Sequence, residues 1–444
     1  MKYILIIADG MADVPVRELD GKTPLQYART PTMDRLASAG VLGNAMTVPE
    51  GMSAGSDTAI LSIFGCDPRE HFGGRASLEA AAVGISLSPG EIAYRCNMVT
   101  LESAVAIDST ARQSCNNDMT TTDSMMEYEK KKLLSHSAGA IEGPVSDALI
   151  RELLKKSVFK EEAEKAGIRI FPGSSFRHIA VQSTMMSKDY SDGKHLREGN
   201  TGNHSIALTP PHDHLGEAIG QHLPRGGENA DALTSLMRIA HEVLDKHPLN
   251  IERSSKGLLP ANGIWFWANG TAIVLPGFTE RYGKTGSVIS AVPLCQGIGV
   301  LMGLEKILVE GATGELNTNY EGKADAAFES LKKHDFTTVH IEAPDECTHN
   351  GDIKGKVQAI EWIDSRTLAR LTKRLAESAI AYRMIVMADH RTLSTTRGHD
   401  GGPVPFILYD SRYDRKTGVR FSEAEAEKGN FTADGLKLME LLFE

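Results

Sequence analysis

The sequence predicts an α/β fold with a mostly parallel sheet flanked by helices, interrupted by an inserted α+β domain. Three observations carry this. Short apolar runs without alternation recur toward both ends of the chain and stop at acidic or glycine-bearing loops, as strands buried on both faces do. Helical patterns lie between those runs. The middle of the 444-residue chain has another texture, rich in Ser, Thr and Met over 101–145 and polar and Gly-bearing over 184–205.

The elements follow in chain order. Tyr3 to Ala8 is β-branched and apolar and breaks at Asp9-Gly10. Thr30 to Ala39 reads as a helix, with Thr30 as its cap and Pro31 in the first turn. Strand-like pieces at Ile168 to Phe171 and His178 to Gln182 belong to the middle region. Phe336 to Ile341 (FTTVHI) breaks at Glu342-Ala343-Pro344-Asp345. Lys354 to Ile380 is a long helical stretch with Val357, Ile360, Ile363 and Leu368 on one face. Met384 to Ala388 breaks at Asp389-His390. Residues 1–89 and 279–444 are thus expected to form one discontinuous catalytic core, and 90–278 an inserted substrate-binding or cap domain.

Composition narrows the function. Hydrophobic residues make up 41% and charged residues 24%, a globular balance that excludes a fibrous or wholly disordered chain. The net charge of −10 is the wrong sign for a general nucleic-acid binder, yet permits a small anionic substrate in a locally basic pocket. Five scattered cysteines without a CxxC indicate neither a disulfide framework nor a thiolate zinc site. Before Asp9 the chain carries one Lys and few apolar residues, too few for a signal peptide, and no run approaches the roughly 20 apolar residues of a membrane helix. A cytoplasmic protein is expected, with no membrane or nucleic-acid partner; composition leaves its oligomeric state open.

The chemistry sits at strand ends, where open α/β sheets bind ligands. Asp9, Asp345 and Asp389 each follow an apolar run. His390 adjoins Asp389, His349 lies one helical turn beyond Asp345, and His399 occupies a Gly-flanked loop. Three Asp and three His in these settings point to one or two divalent metals with mixed oxygen and nitrogen ligands. Ser56, preceded by a small residue and Gly and followed by a helix-like run, is placed at a helix N-terminus. There it is either a plain cap or, beside a metal, a nucleophile.

Longer blocks carry a resemblance. MKYILIIADGMAD, TVPEGMSAGSDTAILSIFGCDP, RASLEAAAVGI, LPANGIWFW, GATGELNTNYEGKADAA, VHIEAPDECTH and MADH resemble the archaeal-type cofactor-independent phosphoglycerate mutases of the alkaline phosphatase superfamily. The blocks span nearly the whole chain in order, and some resemble equally a bacterial subgroup proposed to act as homoserine kinase. The resemblance implies an alkaline-phosphatase-like core and a two-metal site using manganese, magnesium or zinc. It implies that Ser56 carries a phosphoryl group while 2-phosphoglycerate and 3-phosphoglycerate are interconverted. Asp9, Asp389, His390 and Ser56 match the ligands of one metal, and Asp345, His349 and His399 those of the other. Arg95, Asn97, Arg177, His178 and Lys284 become substrate-binding candidates, and an inserted domain offers a means of keeping water from a phosphoserine. Ala54, Ile60, the run Arg391-Thr392-Leu393 and the pair His399-Asp400 depart from the family pattern without removing a metal ligand. The alternatives are a homoserine-kinase-like phosphotransferase, a metal-dependent phosphatase, and a binding protein without catalysis.

Overall fold

The computed structural model describes residues 1–103, 121–173, 175–183, 206–429 and 431–444. The polar stretch 184–205 and much of the Ser-, Thr- and Met-rich region therefore lie outside the described residues. The chain forms two compact units, one of Met1–Phe72, Ala81–Gly84 and Ile273–Glu444, the other of Gly73–Ala80 and Ile85–Ala272. The second begins earlier than the expected residue 90. Its first segment is tied inside it, by Thr271 N–H donating to the Gly73 carbonyl and by Glu79 pairing with Arg95.

The first unit is built on an eight-stranded sheet. Its order is Thr432–Asp434, Val41–Met46, Val404–Asp410, Tyr382–Met387, Lys2–Ala8, Phe336–Ile341, Gly286–Ile289 and Glu305–Ile307. The central pairings, Lys2–Ala8 with Phe336–Ile341 and with Tyr382–Met387, are parallel. Only the two pairings of Val404–Asp410 are antiparallel. Ile4 to Ala8 and every residue of Phe336–Ile341 are buried, which is why these strands read as continuous apolar runs. The register sets Ile7 beside both His340 and Met387, so the three central strands end level and release Asp9, the Asp345 turn and Asp389 at one edge.

The long helical stretch is an α-helix over Ile353–Trp362, a π-helical turn over Ile363–Leu368 and an α-helix over Ala369–Glu377. The π turn has a purpose. Its buried Asp364 accepts hydrogen bonds from the backbone N–H groups of Thr32 and Met33, at 3.1 and 2.6 Å. Those are first-turn donors of the helix Pro31–Ala39. Thr30 occupies the N-cap position as expected but makes no side-chain cap bond, because a carboxylate more than 300 residues away does the capping.

The second unit is a five-stranded antiparallel sheet in which Glu91–Leu101 pairs with Leu133–Ser135, Arg177–Ser183 and Gly263–Thr271. Helices Gly143–Lys155, Ser157–Lys165 and Glu228–Leu244 bury Leu149, Phe159, Leu233 and Met237 in the same core as Tyr94 and Trp265 of the sheet. Among the described residues no helix is long and apolar enough to cross a membrane.

Because Asp364 caps a helix from a buried position, Asp364→Ala strands two backbone donors. It should lower the free energy of unfolding by about 2 kcal/mol, read as a shift in the urea midpoint. An unchanged midpoint would show that the π turn does not cap that helix.

Candidate active site

All seven candidate ligands lie in the first unit, and the sheet edge gathers them. Asp9 follows Ala8, and Gly10, at φ +62°, turns the chain so tightly that a Cβ there would stand 2.8 Å from the Asp345 Cα. Asp345 and His349 share the helix Ala343–His349 at i and i+4, on one face. Asp389 and His390 follow the strand Tyr382–Met387. His399 lies on a two-stranded ribbon directly opposite Thr392. Ser56 is the first residue of the helix Ser56–Ile63, with Gly55 at the N-cap. Its hydroxyl is not spent on capping; it donates to Asp9 Oδ2 at 3.2 Å and lies 3.1 Å from His390 Nε2.

Two groups of donor atoms result. Around Ser56, His390 Nε2 is 3.5 Å from both Asp9 Oδ1 and Asp389 Oδ2. Those two oxygens are buried and, among the described residues, have no hydrogen-bond partner. On the other side, His349 Nε2 is 3.1 Å from Asp345 Oδ2 and 3.0 Å from His399 Nε2, while His399 Nε2 is 3.4 Å from Asp345 Oδ1. Orphaned carboxylate oxygens and converging ring nitrogens are what divalent cations satisfy, so the residues fit such ions; His390 also lies within reach of Asp345 and His399.

The far side of several candidate ligands is tied down. Asp389 Oδ1 accepts from the backbone N–H groups of Gly10 and His390. The Arg397 carbonyl can only accept, so His349 Nδ1 donates to it at 2.8 Å. Thr392 Oγ1 donates to Asp345 Oδ1 at 2.6 Å and therefore receives the proton of His390 Nδ1, 3.2 Å away. The outward nitrogens of His349 and His390 thus carry hydrogen, and their Nε2 atoms are left for a metal.

The electrostatics match. Burial and the charges of Asp389, Asp345 and Glu342 hold the Asp9 carboxyl well above the usual carboxylate range. Burial pushes Asp345 up as well, but hydrogen bonds from His349 and His399 outweigh it and hold that carboxyl well below its ordinary value. The bond to Asp345 raises the His349 imidazole to about 9.

Sequence reasoning missed His340. It lies inside the buried strand Phe336–Ile341, and its Nε2 is 2.9 Å from Asp9 Oδ2. Burial lowers its pKa to about 4, so the ring is neutral. The available signal was a lone imidazole within an otherwise apolar and hydroxyl-bearing run.

The substrate-binding candidates divide. In the inserted unit the Arg95 guanidinium lies 4.0 Å from the Trp267 ring centroid and pairs with Glu79 at 3.0 Å. Asn97 accepts from Trp267 Nε1 and donates to the His136 carbonyl. Arg177 stacks on Phe176. The His136 ring contacts Phe176 and His212, and His212 contacts Trp267. Burial, and then the charges of His212 and Arg177, lower the His136 pKa. His136 and His212 thus join Arg95, Asn97 and Arg177 in one aromatic-backed polar group, in which Glu79 balances the charge of Arg95. Two candidates fall away. His178 is 1% exposed, 3.2 Å from Ser146 Oγ, with its Nδ1 accepting from Gly173 N–H; strand alternation turns it into the core. Lys284 lies over Tyr3 and Phe443, at the N-terminal end of the strand Lys2–Ala8, whereas Asp9 follows the C-terminal end. The resemblance offered it as a substrate contact, but it belongs to the opposite edge of the sheet. A further group, His214, Glu217 and His222, is a hydrogen-bonded cluster of the second unit, with His222 Nε2 2.8 Å from Glu217 Oε2 and the two rings stacked at 3.9 Å.

A sequence profile described as the metalloenzyme superfamily matches residues 1–444. The 2,3-bisphosphoglycerate-independent phosphoglycerate mutase of Methanosarcina acetivorans is 39% identical over 428 residues, 96% of this chain and 95% of that protein. A probable enzyme of the same name from Geobacter sulfurreducens is 40% identical over 446 residues, covering 100% of both chains. Among solved structures, a Pyrococcus horikoshii protein superposes with a TM-score of 0.73 at 29% identity, covering 100% of this chain and 97% of that one. The cofactor-independent phosphoglycerate mutase of Thermoplasma acidophilum shares the fold, with a TM-score of 0.59 at 24% identity over 100% and 99% of the two chains.

Metal-free protein should show the strain of this site. His349, at about 9 against an ordinary 6.5, contributes stability that is complete below pH 6.5 and lost as pH climbs through 9. Asp9, also raised, acts with the same sign. Across this window the thermal midpoint of chelator-treated protein should fall. The midpoint of manganese-loaded protein should fall less, so the gain from metal widens with pH. A gain that stays constant over the window would contradict the assignment.

Proposed function

The chain belongs to the metalloenzyme superfamily and, within it, to the 2,3-bisphosphoglycerate-independent phosphoglycerate mutases, isomerases that interconvert 2-phosphoglycerate and 3-phosphoglycerate, and we propose that it works through a phosphoserine on Ser56. The observation that carries this is the Ser56 hydroxyl, held off its own helix cap and against Asp9 and His390. Asp9, Ser56, Asp389 and His390 would hold one divalent cation, and Asp345, His349 and His399 a second. Manganese suits this mixed oxygen and nitrogen donor set, with magnesium or zinc as the other candidates. Bound there, the cations supply Lewis acidity, lowering the pKa of the serine hydroxyl and neutralising phosphoryl charge.

The chain's own residues do the rest. The Ser56 oxygen attacks phosphorus as its proton leaves, and the bond from phosphorus to the substrate oxygen breaks. That oxygen takes up the proton that Ser56 released and becomes the hydroxyl of bound glycerate. The glycerate then turns, its other hydroxyl attacks the phosphoserine as its proton passes to the departing Ser56 oxygen, and the Ser56 hydroxyl is restored. The N-terminus of the helix Ser56–Ile63 favours the anionic phosphoryl group. Asp9 Oδ2 accepts the Ser56 hydrogen bond and fixes the direction of attack. Arg95, Asn97 and Arg177 are the proposed substrate-binding residues of the inserted unit, with an arginine fork matched to the glycerate carboxylate. The reaction belongs to glycolysis and gluconeogenesis and the enzyme, on this reading, to the cytoplasm.

With manganese, 3-phosphoglycerate should give 2-phosphoglycerate, followed by phosphorus NMR; inorganic phosphate alone would mark a hydrolase. Ser56→Ala should cut turnover by about 10⁴-fold or more, and retained turnover would exclude the covalent route. Arg95→Met should raise KM by about 10- to 100-fold with a smaller effect on kcat, the worth of a charged hydrogen bond.

A further inference from the structure

We infer that His340 is a positioning residue for the Ser56 centre: its Nε2–H donates to Asp9 Oδ2 and leaves Asp9 Oδ1 as the oxygen offered to a cation. The inference rests on the two-cation reading above. His340 lies close enough to Asp9 and Asp389 for all three to be ligands of a single ion, with donor atoms within 4.8 Å of one another. The hydrogen-bond network decides against that. Ser290 Oγ accepts from the Val292 backbone N–H at 3.0 Å, so its own hydrogen must go elsewhere. His340 Nδ1 lies 3.1 Å away, the Val292 carbonyl 3.5 Å, and the Cys295 thiol is also within reach; sulfur is a weak acceptor and the carbonyl is distant, which makes the imidazole the better acceptor. With Nδ1 accepting, the one ring hydrogen of a neutral imidazole sits on Nε2, 2.9 Å from Asp9 Oδ2. Nε2 is then a donor with no lone pair for a metal.

The ring is also fixed from below. His340 is 0% exposed, and Lys323 Nζ donates to its backbone carbonyl at 3.0 Å. Asp9 Oδ2 receives two hydrogen bonds, from His340 and from Ser56, while Oδ1 has no partner among the described residues. When Ser56 gives up its proton, the His340 bond is what remains on Oδ2. It keeps the carboxylate from rotating and Oδ1 from leaving its place. A donor behind a metal-binding carboxylate is worth about 10- to 100-fold in metal affinity or activity.

Manganese titration of metal-free protein by calorimetry, with turnover of 3-phosphoglycerate alongside, tests this. His340→Leu keeps bulk and removes the donor. One of the two manganese ions should bind about 10- to 100-fold more weakly, and kcat should fall with KM unchanged. His340→Gln restores an N–H at the same reach and should keep metal affinity within about 3-fold. The nitrogen couplings seen by pulsed electron paramagnetic resonance on bound manganese should be the same in wild type and His340→Gln. Loss of one coupling, or equal damage from Gln and Leu, would make His340 a ligand and overturn the inference, as would wild-type behaviour of His340→Leu. Wild-type protein that takes up no manganese would instead sink the two-cation reading itself. If His340→Leu fails to fold, judged by circular dichroism, Ser290→Ala is the second variant. It removes the bond that sets the tautomer and should weaken the same manganese ion by about 3- to 10-fold; unchanged affinity there overturns the inference.

Discussion

The fold concentrates negative charge where it can least be solvated. Asp9, Asp345 and Asp389 emerge buried from adjacent strand ends, and burial beside the other two raises the Asp9 carboxyl well above the usual range. Charges of one sign in a desolvated site are tolerated only with compensation, and breaking that compensation is costly. Much of the surrounding architecture settles how the compensation is made. The parallel register brings the three strand ends level. Gly10 lets the first loop fold against the Asp345 backbone, closer than a side chain would allow.

The hydrogen bonds reaching these carboxylates are chosen with care. Asp389 is met by two backbone N–H groups, and Asp9 by a hydroxyl and a neutral imidazole. Neither is met by an arginine or lysine among the described residues. The buried lysines are engaged elsewhere. Lys323 donates to the His340 carbonyl, and Lys356 to Asp13 and the Thr392 carbonyl. An ammonium group paired with Asp9 or Asp389 would relieve the repulsion permanently and compete with a metal ion for the same oxygens. Neutral donors orient the carboxylates without cancelling them.

The convergence of these side chains was legible in the sequence because the candidate ligands sit at discontinuities. Asp9, Asp345 and Asp389 each interrupt an apolar run, and a strand's end is the easiest part of an α/β pattern to see. What supports them was not legible, for two reasons. His340 lies inside a run, one residue before the strand ends, where a polar side chain reads as noise. Asp364 sits in the middle of a helical pattern, and no local rule links it to a helix that starts at Pro31. The misreadings share a cause. His178 and Lys284 were carried over from short blocks of resemblance, but which way a strand residue faces, and which edge of a sheet a loop joins, are set by register and topology. Arg95 and Arg177 each lie against an aromatic ring, and Arg95 is also held by Glu79, pairings that no local pattern announces.

Thr392 shows how closely the two halves of the site are joined. Its single hydroxyl receives the proton of His390 Nδ1 and donates its own to Asp345 Oδ1, so one oxygen bridges a ligand of each proposed ion. Its carbonyl accepts from Lys356, whose ammonium also pairs with Asp13, and Asp13 in turn holds Ser394. A buried ion pair of this kind adds little net stability, since desolvation offsets the attraction. Its value here is geometric. It pins the backbone on both sides of Leu393, and with it the hydroxyl that spans the site. Thr392 supplies the bridging hydroxyl, whereas Arg391 and Leu393 pair along the ribbon that carries His399.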